Sequence, residues 1–137
     1  LLNFYKMVEE NWVYSDTVKD HFFDPRNVLE EKDAKADGFG EIGAMACGDV
    51  MKMWVWVKDD KIVDCKWRTF GCASAIASTS MLSVMITENG GMLLSEAYLL
   101  KPEEILVRLD GLPQHKIHCS VLGDQALRAA IDDYQLK

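Results

Sequence analysis

The sequence predicts an α+β fold: a small antiparallel sheet of about three strands covered by helices, in one domain spanning residues 1–137. Three observations carry this. Residues 50–58 and 61–70 are rich in β-branched and aromatic side chains and flank Asp59-Asp60, the pattern of a tight hairpin. Stretches with helical start and stop residues lie on both sides of that hairpin. With 49% hydrophobic residues in 137 and neither repeats nor low-complexity segments, the chain can bury one core of its own.

In chain order, Ser15 is a capping residue ahead of Asp16, and Asp24-Pro25 ends the stretch, so a short helix runs to Phe23. Residues 30–43 are charged and glycine-dotted, which reads as a mobile connection leading into a short strand around 41–45. In the hairpin Met51, Met53, Val55 and Val57 share one face and Lys52, Trp54, Trp56 and Lys58 the other. We read the tryptophan face first as covered by the protein's own helices, with a partner surface as the alternative. Strand alternation puts Cys65 with Val63, Trp67 and Thr69 on an apolar face, so it reads as a buried small hydrophobe. Residues 73–86 read as a helix ending before Asn89-Gly90-Gly91. Residues 102–109 read as another, with Pro102 in its first turn and Gly111 and Pro113 closing it. A last helix follows Ser120, with Val121, Leu122, Ala126, Leu127, Ala130 and Ile131 at helical spacing.

A net charge of −7 and a pI near 4.9 argue against nucleic acid and anionic membranes as partners. No run approaches the roughly 20 apolar residues of a membrane span, and Leu1-Leu2-Asn3-Phe4-Tyr5-Lys6 lacks a signal peptide's charged front. The chain reads as intracellular, in the cytoplasm or an organelle matrix, where its four cysteines stay reduced.

Cys47, Cys72 and Cys119 each sit beside small residues, in Ala46-Cys47-Gly48-Asp49, Gly71-Cys72-Ala73-Ser74 and His118-Cys119-Ser120. They read as thiolate ligands for a soft metal or an iron–sulfur cluster. Cys72 and Cys119 stand at expected helix starts, where exposed N–H groups and the macrodipole favour thiolate. No Cys-x-x-Cys pair is present, so the site must be assembled from three remote segments and is looser than a zinc knuckle. Asp49 adds a hard oxygen donor and His118 an imidazole, giving five candidates for four positions, a set suited to exchange and release. Asp49 reads equally as a cap at a strand start, His118 also as a core histidine, and His21 and His115 as surface or structural groups.

These motifs, in this order, resemble the U-type iron–sulfur cluster assembly scaffolds, IscU and the N-terminal module of NifU. The likeness runs through residues 21–27, 46–52, 69–78 and 112–122 and on into the last helix. It implies that a pyridoxal-phosphate cysteine desulfurase delivers sulfur as a persulfide onto Cys119 while iron sits among Cys47, Asp49, Cys72 and His118. Reduction by a ferredoxin then yields a [2Fe–2S] cluster, which Asp49 keeps labile for transfer to acceptor apoproteins. Frataxin and an Hsp70-type chaperone are further implied partners, zinc an implied occupant of the cluster-free site, and a homodimer is compatible with the sequence. Three departures stand out: Gln114 replaces the second proline of the chaperone-recognition stretch, Ala73 a usual glycine, and Cys65 a small non-thiol residue. The alternative is a zinc-binding, SufU-type sulfur relay to a desulfurase. Against it, His118 precedes the last cysteine and no long insertion separates Cys72 from Cys119. A cysteine hydrolase using Cys119 is weaker still, because no orienting third group or oxyanion loop can be named.

Overall fold

The computed structural model describes residues 14–30, 34–44, 49–112 and 118–137. Helix α1 (Asp16–Phe23) starts as expected: the Ser15 hydroxyl accepts the Val18 N–H at 3.0 Å and itself donates to the Leu109 carbonyl. The turn after α1 is locked to its surroundings by buried polar contacts. His21 Nδ1 lies 2.7 Å from Ser80 Oγ, which also accepts the Arg26 N–H, and Trp67 Nε1 donates to the Arg26 carbonyl at 2.8 Å. His21 is therefore a structural residue, buried rather than on the surface.

Strands β1 (Gly38–Ala44), β2 (Asp49–Lys58), β3 (Lys61–Phe70) and β4 (Met92–Leu93) form one antiparallel sheet in the order β1-β2-β3-β4. Asp59 and Asp60 join β2 to β3 with φ of 53° and 61°, as a two-residue primed hairpin turn requires. Trp56 pairs with Asp64 but Val57 with Ile62, so Val63 is an extra residue in a β-bulge. The bulge corrects the simple alternation expected of β3: Cys65 and Trp67 are buried, as is Ile62, while Val63 turns outward at 46% exposure. The outer edge of β3 is covered by β4 at one end. At the other, the Leu29 N–H donates to the Trp67 carbonyl and the Trp67 N–H to the Asn27 carbonyl.

Helices α2 (Ala73–Thr87), α3 (Leu94–Tyr98), α4 (Pro102–Arg108) and α5 (His118–Gln135) complete the fold. The two long ones, α2 and α5, cover the face carrying Met51, Met53 and Val55, and α1, α3 and α4 pack on them. Gly38 and Gly40 allow α5 to lie directly on β1, since a Cβ at either would collide with the Ala130 or Ala126 carbonyl. This is why β1 begins at Gly38 and not near Glu41: those glycines signal a close helix and not a loop. The tryptophan face differs too, for among the described residues no helix covers it. Its far end is closed by residues 34–37, whose Lys35 carbonyl accepts Trp56 Nε1, and by the Phe39 ring 5.1 Å from that of Trp54. Residues 34–37 are thus tied down, with Asp37 bonded to β2 through both its N–H and its carboxylate. The two-residue β4 and five-residue α3 are too short to leave a periodic pattern. Among the described residues no helix is long and apolar enough to cross a membrane.

Candidate metal centre

The connectivity sends several chain ends to one end of the sheet. Strand β1 finishes at Ala44, whose partner Asp49 opens β2; Val50 pairs with Phe70, the last residue of β3, and Gly71-Cys72 follows. Asp49 and Cys72 therefore leave the sheet at the same end. Cys47 and the expected strand end at Met45 lie outside the described residues, in the stretch between Ala44 and Asp49.

Helix α5 brings the third segment. It passes Gly38 at Ala130 and Gly40 at Ala126, so it runs antiparallel to β1, four helical residues for every two in the strand. The strides match at about 6 Å each, and continuing them places His118 and Cys119 over the Ala44 end of β1. The N-terminal part of α5 also packs on α2, with Gly123 against Thr79 and Leu82. The expectation that α5 follows Ser120 is corrected: it begins at His118, so Cys119 lies within the first turn. Consecutive positions on a helix diverge by about 100°, so His118 and Cys119 occupy different faces of that turn.

Cys72 is the N-cap of α2, in extended backbone (φ −77°, ψ 173°), with its carbonyl accepting the Ile76 N–H at 3.1 Å. It is half-buried, at the positive end of a 15-residue helix. Cys65 is the opposite case, fully buried in the core, where desolvation and the nearby Asp64 carboxylate drive its thiol pKa far upward.

Three buried polar groups escaped the sequence reading. The Ser74 hydroxyl, two residues after Cys72, the Thr79 hydroxyl and one Asp124 carboxylate oxygen are buried without a hydrogen-bond partner among the described residues. Burial raises the Asp124 pKa against the lowering effect of Arg128, which it contacts at 3.1 Å. Only the four-residue Asp124–Arg128 spacing hinted at this, and it looks like any helical surface pair. His115 and Gln114 lie outside the described residues.

A cysteine at a helix start, an aspartate at a strand start and a His-Cys pair in a helical first turn thus stand on segments that reach one end of the sheet, and these residue types include both soft and hard donors. Comparison with known proteins agrees in kind. Over 122 residues the chain is 47% identical to an Archaeoglobus fulgidus protein named iron-sulfur cluster assembly scaffold protein IscU 1, covering 89% of this chain and 76% of the relative. It is 45% identical to the IscU scaffold protein of Haemophilus influenzae, covering 90% and 97%. The fold matches that of a NifU-like N-terminal protein from Brucella abortus with a TM-score of 0.71 over 96% of this chain and 99% of that one, at 15% identity. Residues 13–137 match the model of the NifU-like N-terminal domain, and to that family this chain belongs.

Proposed function

We propose that this chain is a scaffold, not a catalyst, on which an iron–sulfur cluster is built and then surrendered to acceptor apoproteins. The observation that carries the reading is the convergence of Asp49, Cys72 and the His118–Cys119 turn on one end of the sheet, beside the stretch that contains Cys47. Membership of the NifU-like N-terminal family and the names of its scaffold relatives support it.

In this reading Cys47, Cys72 and Cys119 hold the cluster, with Asp49 and His118 sharing the remaining position. Cys119 thiolate attacks the outer sulfur of a cysteine desulfurase persulfide. A new S–S bond forms on Cys119, the desulfurase S–S bond breaks, and the desulfurase cysteine leaves as thiolate. Two electrons from a reduced ferredoxin pool then cleave the Cys119 persulfide to sulfide and thiolate, and two such deliveries supply the two sulfides that two irons held by the donors take up as a [2Fe–2S] cluster. A carboxylate among thiolates is the weakest soft-metal donor, so exchange at Asp49 gives the cluster an exit. Frataxin fits the same scheme, zinc fits the donor set before iron arrives, and Gln114 makes recognition by an Hsp70-type chaperone the least supported contact.

Anaerobic reconstitution with iron and sulfide tests the ligand set. Cys47→Ala, Cys72→Ala and Cys119→Ala should each abolish a stable cluster. A substitution that leaves yield and lifetime unchanged removes that residue from the set.

A further inference from the structure

The sheet face opposite α2 and α5 carries a pattern that cluster binding does not use. Cross-strand register sets its rows: Gly43, Val50 and Phe70 nearest Cys72, then Glu41, Lys52 and Arg68, then Phe39, Trp54 and Lys66. Three cations thus face one carboxylate on a chain whose net charge is −7. The balance reverses only in the next row, where Asp64 stands opposite Trp56. Phe70 is 78% exposed, and Val50, Lys52, Arg68, Thr69 and Phe70 line a hollow of about 250 Å³. Lys52 and Arg68 stand directly opposite one another, and like charges so placed weaken a sheet. A large exposed aromatic beside concentrated positive charge is the composition of a binding patch.

We propose that this face docks a protein partner through a carboxylate-rich surface of that partner. Its carboxylates complement the Lys52, Lys66 and Arg68 charges, and Phe70 with Val50 supplies the apolar centre. Because the rest of this acidic chain repels such a partner, the cationic face selects the docking orientation and makes encounter fast and salt-sensitive. Phe70 continues through Gly71 into Cys72, so a partner seated here stands beside the proposed cargo site. That consequence rests on the scaffold reading; the docking does not.

The test is an amide NMR titration of the intact, cluster-free chain with a Glu-rich peptide carrying one aromatic residue, and with its Gln-for-Glu counterpart. The Glu peptide should shift the amides of residues 50–54 and 66–70 saturably, with affinity falling as salt is raised, and the Gln peptide should not. Lys52→Glu with Arg68→Glu should weaken binding by about tenfold or more, and a Lys-for-Glu peptide should bind that variant in its place. Lys52→Gln, which adds no new charge to the fold, should weaken binding in the same direction by a smaller factor. Saturable shifts confined to other elements, or affinity indifferent to these substitutions, overturn the proposal. So does the absence of any shift on this face, whether residues 1–13 or a second copy of the chain occupies it. No cluster enters the measurement, so its failure leaves the scaffold reading standing.

Discussion

At residue scale two cysteines in one chain show how environment assigns chemistry. Cys65 lies fully buried among Val55, Trp67 and other core side chains, with its thiol pKa pushed far upward. Cys72 caps a helix at the surface end of the sheet. Cys65→Ala should therefore leave the absorption spectrum of the reconstituted protein unchanged while lowering stability by about 1 kcal/mol; a lost or shifted cluster band would move Cys65 into the site. Asp49→Ala, which removes the oxygen donor proposed to exchange, should lengthen cluster lifetime, and a shortened lifetime would contradict that proposal. The burial of Cys65 was legible in the sequence, since strand alternation sets it on one face with Trp67. The partner of His21 was not. Nothing near position 21 announces that Ser80, 59 residues away, closes its hydrogen bond.

His21 carries a pH prediction. Burial lowers its pKa below the ordinary 6.5; the Arg26 and Arg108 charges push the same way and the Asp20 and Asp24 carboxylates oppose them. The unfolded chain therefore takes up the proton first as pH falls. The stability His21 contributes is fully present above about 6.5 and is lost as pH drops through the folded-state value. Denaturant midpoints measured across that window should fall for the parent chain and change less for His21→Gln; equal slopes would rule out His21 as the source.

At element scale the approach of α5 to β1 does the positioning. Gly38 and Gly40 let the helix axis lie close enough for its first turn to reach the sheet end, and a methyl at Gly40 would meet the Ala126 carbonyl and the Ala129 side chain. Gly40→Ala should cost about 1–3 kcal/mol and displace α5, lowering both Tm and cluster yield. A variant with parental Tm would show that the helix has room to spare. The sequence reading took these glycines for a loop, because an isolated glycine marks a turn and a close backbone approach equally well. The hairpin, its Asp59-Asp60 turn, the α2 boundaries and the Pro102 helix start were all readable from local chemistry. The Val63 bulge, β4 and the packing of residues 34–37 over Trp56 depend on long-range pairing that no local window contains.

At the scale of the whole molecule, one architecture divides the labour between two sheet faces. Helices α2 and α5 bury the methionine-rich face and bring their N-termini to the end where β1, β2 and β3 meet. The other face carries Lys52, Lys66, Arg68 and the exposed Phe70. The fold class was legible because a β-branched and aromatic hairpin lies between stretches with helical start and stop residues, whereas the lack of a helix over the tryptophan face among the described residues was not, since a tryptophan-bearing strand reads as buried on both sides.

The central claim is that thiols from three remote segments meet to hold a cluster. Mössbauer spectroscopy of the anaerobically purified protein, with total metal analysis on the same sample, tests it most directly. The account predicts two antiferromagnetically coupled irons per cluster in a diamagnetic ground state, lost together in Cys72→Ala. Isolated high-spin iron indifferent to Cys72, or zinc at one per chain that iron and sulfide do not displace on anaerobic reconstitution, would contradict it.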